Sequence, residues 1–205
     1  NHGVLRGGTT YSNGKIGRGF RFHDFFTDGV TVNSQVYEIQ GGTLSTWFNW
    51  DGGTPAGWFS SLTIHGSADG PFTASPIPFI KFGELGVEFG NTTGGVGVNV
   101  VPGRWYHVAI TYDSDYNVKV YVDGILVRSV TSTNPGDFRD QFGIGYGPGV
   151  TAVGFSGMVD ETQVYDRPLS ECEVQNLFRS ANDQSCAICD SEAPVTSAIS
   201  TPGPN

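Results

Sequence analysis

The chain has few cations, little sulfur and no long apolar run. Lys and Arg number 11 against 20 Asp and Glu, for a net charge of -9. Phosphate binding needs clustered Lys and Arg, so nucleic acid is not an expected partner. The acidic balance serves solubility and is compatible with divalent cations. No segment approaches the roughly 20 apolar residues of a membrane-spanning helix. There is one Met, and the three cysteines, Cys172, Cys186 and Cys189, all come late. An odd count in an exported protein leaves one thiol free or paired outside the chain. Cys186-Ala187-Ile188-Cys189 has redox or zinc spacing, yet no second pair accompanies it. A structural disulfide from Cys172 to Cys186 or to Cys189 is the expectation. EF-hand spacing and repeats of 20–50 residues are also missing.

What is present points to β structure. The 205 residues suit one all-β sandwich and suffice to bury a core. Thirty Gly and 14 Phe supply turn formers and strand aromatics. Strands are expected over 20–22, 29–32, 43–50, 58–65, 77–82, 86–89, 105–112, 118–122, 125–130, 142–146 and 155–165, with a loop over 71–78, where Pro is frequent. In 43–50, Leu44, Thr46, Phe48 and Trp50 share one face while Trp47 takes the other, so this strand should be covered on both sides. Asp123-Gly124 marks a type I′ hairpin turn. One helix is signalled by Ser170 and Glu173 as a capping box, Leu169 and Val174 as a hydrophobic staple, and Pro168 before the start. Val174, Leu177 and Phe178 form its docking stripe.

The opening Asn1-His2-Gly3-Val4 is not a signal peptide and begins mid-pattern, which reads as a piece of something larger. Composition changes after Cys189, so the expected division is a sandwich over 1–189 and a linker, or the start of an immunoglobulin-like domain, over 190–205. Asn91-Thr92-Thr93 is a glycosylation sequon, meaningful in a eukaryotic source.

Several segments, in order, resemble one family. Asn1-His2-Gly3, Gly14-Lys15-Ile16-Gly17 and Phe20-Arg21-Phe22 are similar to the opening of laminin-G-like, concanavalin A-like jelly-roll domains. Residues 105–112 resemble their central strand, and Val120-Tyr121-Val122-Asp123-Gly124 the strand and turn that follow. Gly157-Met158-Val159-Asp160-Glu161 and Tyr165-Asp166-Arg167-Pro168-Leu169-Ser170 resemble the closing strand and helix. The resemblance covers roughly residues 1 to 182. It implies a two-sheet antiparallel sandwich with one short C-terminal helix, export as a module of a secreted or cell-surface protein, and a structural calcium ion. Because the fold hosts lectins, glucanases, lyases and protein-binding modules, activity must be argued from residues.

Glycosidases on this fold carry closely alternating acids, of the type Glu-x-Asp-x-x-Glu, and this chain has no such run. Glu84 and Glu88 read as solvated strand-end acids, because Gly83, Gly86 and Gly90 suggest turns. Asp160 and Glu161 are neighbours and should point to opposite faces. His65 and His107 sit in strand patterns and read as structural. For metal binding, the turn His23-Asp24-Phe25-Phe26-Thr27-Asp28-Gly29 offers carboxylates and carbonyls suited to calcium. It stands where the family has Phe-x-Phe-Asp-Gly, with His23-Asp24 replacing Asp-Gly. The resemblance implies that Asp160 meets this turn, so His23, Asp24, Asp28 and Asp160 are the candidate ligands. For a sugar, the candidates are Trp58 and Asp51 in the Gly-rich loop after Trp50, with Tyr146 and Arg139 in other loops. Trp47 and Trp105 read as core. The expected function is non-catalytic, calcium-dependent or calcium-stabilised carbohydrate binding, lectin-like or adhesive. A protein-interaction or spacer domain is the alternative, with a hydrolase or lyase behind both.

Overall fold

The structure, a computed structural model, describes residues 3–32, 41–53, 60–66, 76–134, 141–146, 154–185 and 189. In chain order the elements are β1 (Val4–Arg6), β2 (Thr10–Asn13), β3 (Arg18–Phe22), β4 (Gly29–Val32), β5 (Gly42–Trp50), β6 (Ser60–Ser61), β7 (Thr63–Gly66), β8 (Ile77–Lys81), β9 (Glu84–Phe89), β10 (Thr92–Asn99), β11 (Trp105–Tyr112), β12 (Asn117–Val122), β13 (Ile125–Thr131), β14 (Gln141–Ile144), β15 (Gly157–Tyr165) and the helix α1 (Glu171–Ser180).

The alternating strand β11 pairs on one side with β12 and on the other with β5, which in turn pairs with β15. These strands form the centre of a seven-stranded antiparallel sheet, ordered β13-β12-β11-β5-β15-β3-β2. The facing layer consists of two four-stranded sheets, β1-β4-β14-β7 and β10-β9-β8-β6. They meet at Leu62, which separates β6 from β7. Its N–H donates to the Pro78 carbonyl at 3.0 Å, and its carbonyl accepts from the Gly145 N–H at 2.8 Å. The sandwich thus has one continuous layer and one layer broken at a single residue.

Between the layers, Leu44 and Phe48 of β5 and Tyr106, Val108, Ile110 and Tyr112 of β11 join Ile80, Leu85, Val87 and Phe89 in one buried cluster. Phe89 and Tyr112 meet across the gap with ring centroids 5.0 Å apart. The opposite face of β5 is covered as its pattern requires. Trp47 stacks on Phe178 of the helix at 5.6 Å, and Ala109, Tyr121, Leu169 and Val174 form a second buried cluster.

The helix begins as its capping box demands. Glu173 N–H donates to Ser170 Oγ at 3.3 Å, and Ser170 N–H donates to Glu173 Oε2 at 2.8 Å. A disulfide joins Cys172 to Cys189, with Cα atoms 5.6 Å apart, which decides between the two expected partners. The Asp123-Gly124 turn has positive φ at both residues, 50° and 78°, as a type I′ hairpin needs.

Ile77 and Pro78 fall in both the expected loop 71–78 and the expected strand 77–82; the strand holds, and Pro78 stands beyond the two-residue pairing of β6 with β8. Phe82 leaves that strand and enters a turn. Gly86 lies inside the regular strand β9. The stretch 190–205 lies outside the described residues.

Candidate functional site

The loops after β1, β3, β5 and β14 gather at one end of the sandwich. Register places them there. Phe22 and Trp50 both lie opposite Gly157, at the start of β15. Arg6 lies opposite Gly29, and Ile144 opposite Val30. This rim carries His23, Asp24, Asp28, Asp51 and Tyr146. Trp58 and Arg139 lie outside the described residues.

Asp28 is 1% exposed. Its Oδ1 accepts from Gly8 N–H at 2.6 Å and Thr27 Oγ1 at 3.2 Å, and its Oδ2 accepts from His23 N–H at 2.8 Å and Asp24 N–H at 3.2 Å. Burial pushes the carboxyl pKa up, but the amides of His23, Gly8 and Asp24 and the Thr27 hydroxyl outweigh it and hold the pKa below the ordinary value. Asp24 is exposed and accepts from Phe26 N–H at 2.7 Å, a local turn contact.

Asp160 is buried elsewhere. Its Oδ2 accepts from Ile16 N–H at 2.9 Å, in the loop between β2 and β3, and its Oδ1 accepts from Glu161 N–H at 2.9 Å. It stands three residues past Gly157, so about 10 Å of strand separates it from the end where the His23 turn begins. Calcium takes six to eight oxygen ligands. In this arrangement the four donors on Asp28 occupy its lone pairs, and Asp160 faces a different loop. No group of three or more His, Cys, Asp or Glu side chains comes together among the described residues. These acids therefore do not fit a calcium shell as they stand.

The Asp51 side chain is about a third exposed, and its two oxygens have different partners. Oδ1 accepts from Arg21 Nη1 at 2.8 Å and Oδ2 from Ser156 Oγ at 3.0 Å. The Asp51 N–H also donates to the Ser156 carbonyl at 3.2 Å. This cluster ties the ends of β3 and β5 to the segment entering β15. Tyr146 packs over Gly29, where a Cβ would stand 2.1 Å from Tyr146 Cβ. The Arg6 guanidinium lies 5.5 Å from the Tyr146 ring centroid. Sequence reasoning passed over Arg21, Ser156 and Arg6. Their partners lie 30, 105 and 140 residues away, and no local pattern signals such pairings.

The tryptophans divide. Trp47 is buried, and Trp50 is buried with its Nε1 donating to the Gly53 carbonyl at 2.7 Å. Trp105, expected in the core, is only half-buried. His107 is buried with Nε2 2.8 Å from Ser45 Oγ, the structural role expected of it. The side chain of His65 lies outside the described residues.

Glu84 and Glu88 do share a face of β9, but four residues at about 3.3 Å each set them about 13 Å apart. Glycosidase carboxylate pairs stand roughly 5 to 9.5 Å apart. Glu84 accepts from Gly97 N–H at 3.0 Å. Glu88 is half-buried, not solvated as expected, and burial pushes its carboxyl pKa up. Glu161 has φ 48° and sits in a register shift of β15, so strict alternation with Asp160 does not hold there.

Comparison with known proteins gives a family and a fold. A family model for the concanavalin A-like lectin/glucanases superfamily matches residues 25–175. No curated protein matches the chain. Among solved structures, the chain is similar to the fourth domain of AbnA, an extracellular arabinanase of Geobacillus stearothermophilus, in complex with arabinotriose. The TM-score is 0.61 at 20% identity, covering 83% of this chain and 81% of that one. It is also similar to the binding domain of Paraclostridial Mosquitocidal Protein 1, with TM-score 0.66 at 15% identity, covering 87% of this chain and 47% of that one. The binding domain of botulinum neurotoxin DC, in complex with rat synaptotagmin II, gives TM-score 0.63 at 12% identity and coverage of 88% and 46%. The chain spans about half the length of these two toxin domains. At such identities the likeness is one of fold. The family match, the two-layered strand order and the capped closing helix agree, and the chain belongs to the concanavalin A-like lectin/glucanases superfamily.

Proposed function

We propose that this chain is a non-catalytic carbohydrate-binding module of a larger secreted or cell-surface protein. The observation that carries the reading is the state of the rim acids. Asp28 is committed to amides and Asp51 to Arg21 and Ser156, so neither is placed as a proton donor or base for a glycosidic bond. Meanwhile Arg21, Asp51 and Ser156 offer donors and acceptors at partly exposed positions, and Tyr146 with Arg6, in the other layer, offers a ring and a cation. Sugars need that mixture, because hydroxyls want hydrogen bonds while C–H faces want an apolar surface. The AbnA domain, whose structure holds arabinotriose, supports the choice of ligand class. The disulfide supports export.

The test is a glycan array and a polysaccharide pull-down, each with and without EDTA, alongside a reducing-sugar assay. Retention of at least one glycan with no release of sugar is expected. Release of sugar would make the chain a hydrolase, and absence of glycan retention under both conditions would leave the protein-interaction or spacer reading.

We also propose that Asp28 and Asp160 act as loop staples in place of the calcium shell. Each fixes backbone N–H groups from a segment far away in sequence, Gly8 in one case and Ile16 in the other. A ligand that binds only the folded state raises the melting midpoint. The expected midpoint is therefore the same in calcium and in chelator, and a rise of several degrees with calcium would overturn this proposal.

A further inference from the structure

The layer that faces away from the helix carries a side chain that neither packing nor turn chemistry explains. Strands β8 and β9 are joined by Phe82-Gly83, with φ of 53° and 81°. Lys81 lies opposite Glu84 across this two-residue turn. Such a turn favours Asn, Asp or Gly at its first position, because a bulky side chain is strained at positive φ. Phe82 is also 82% exposed, so no burial offsets the strain.

The ring of Phe82 lines a groove of about 350 Å³ together with Phe79, Lys81, Glu84, Thr93 and Asn99. Register explains how these residues come together. Phe79, Gly86 and Gly95 lie in one cross-strand row, and Lys81, Glu84 and Asn99 lie two rows on, on the same face. Two glycines let neighbouring side chains lie across the floor. A Cβ on Gly86 would stand 2.4 Å from the Phe79 ring, and one on Gly95 would stand 2.1 Å from Glu84 Oε1. Gly97 N–H fixes Glu84 from below, and Lys81 Nζ lies 5.7 Å from the Phe82 ring centroid.

We propose that this groove is a glycan subsite in which Phe82 stacks on one sugar ring while Lys81, Glu84 and Asn99 bond its hydroxyls. The charges narrow the class of ligand. Lys81 and Glu84 cancel within the groove, and the chain as a whole carries -9, so an acidic polymer is repelled and a neutral polysaccharide fits. The volume falls in the range of small-ligand clefts. The inference rests on the glycan-binding reading and adds a subsite separate from the Asp51 cluster.

The test is affinity electrophoresis in linear arabinan, xylan and mixed-linkage β-glucan, with polygalacturonate as the acidic probe. Wild-type chain is expected to be retarded by at least one neutral polymer. Phe82→Asn should weaken that binding about tenfold or more, the scale of one lost stacking contact of about 1.4 kcal/mol. Its melting midpoint should hold or rise by a few degrees, because Asn accepts positive φ more readily. Phe82→Tyr should keep binding within about threefold, since its ring stacks alike. Equal binding by wild type and Phe82→Asn would overturn the subsite and leave the glycan reading standing. Equal loss in Phe82→Tyr would assign the effect to the turn and overturn stacking, and a preference for polygalacturonate would overturn the neutral ligand. Retardation by no polymer would remove the glycan reading and this inference with it.

Discussion

The two outer faces of the sandwich are built on opposite principles. On the seven-stranded sheet, Trp47, His107, Ala109 and Tyr121 point outward and are covered by α1, which is capped at Ser170 and tied by Cys172–Cys189. On the β8–β10 face, the row Phe79, Gly86 and Gly95 shares a face with Lys81, Glu84 and Asn99, with Phe82 exposed beside it. The first face uses large side chains and spends them on packing. The second uses glycine to let side chains lie flat and leaves polar groups and a ring reachable. A strand that is apolar on both sides has been given a cover. The turn between β8 and β9, beside the glycines of β10, carries an aromatic that is exposed.

The largest expected difference between the faces is in stability. Trp47 is 3% exposed, stacks on Phe178 and carries Lys15 Nζ 4.6 Å above its ring. Trp47→Ala should destabilise by about 3–5 kcal/mol, as buried Trp truncations do. Lys81→Ala, on the other face, should stay within about 0.5 kcal/mol of wild type. Urea denaturation of both variants measures the contrast, and equal losses would show that the second face is also structural.

A smaller effect should appear with pH, from His107 under the helix. Burial lowers its pKa from 6.5 to about 4, so the folded state holds it neutral. Its Nδ1 has no hydrogen-bond partner, while Nε2 meets Ser45. The unfolded chain binds the proton more readily, so stability rises with pH between these values and is lost as pH falls from about 6.5 toward 4. The loss should be on the order of 3 kcal/mol, because a tenfold change in proton affinity corresponds to about 1.4 kcal/mol. His107→Gln should flatten the slope in denaturation midpoints across that window, and an unchanged slope would place the titration elsewhere.

Much of the covered face was legible in sequence, and little of the open one. Strands β5, β11 and β12 announce themselves because both or alternate faces are buried. The helix is legible because its cap, staple and stripe are all local. Strand β10 escaped, since Thr92–Asn99 sits at a sheet edge with Gly94, Gly95 and Gly97 in place of an apolar alternation. Phe82 closes the expected strand 77–82, while the glycine after it and the pairing of Lys81 with Glu84 mark the turn. The acids of the His23 turn were visible, but their role was not. A carboxylate beside glycines suits calcium and suits backbone amides alike. For Asp28 and Asp160 the amide donors Gly8 and Ile16 lie 20 and 144 residues away.

The smallest expected effect sharpens what holds the cover in place. Glu173 receives two hydrogen bonds from Arg167, at 3.0 Å to Oε2 and, at 2.6 Å, to Oε1, and another from the Ser170 N–H. The Arg167 contact, followed by that amide, pulls its pKa from 4.5 to about 2. A carboxylate depressed in this way adds stability that is fully present above about pH 4.5 and is lost as pH falls toward 2. The pair is at the surface, where water screens it, so the contribution should be small. Glu173→Gln should remove that part of the acid slope while keeping α1 docked, because Gln also serves at this position of a capping box. Circular dichroism melts from pH 5 to pH 2 would show the two proteins converging as acid is added. Parallel curves would mean that the cap and the docked stripe of Val174, Leu177 and Phe178 hold the helix without help from the ion pair.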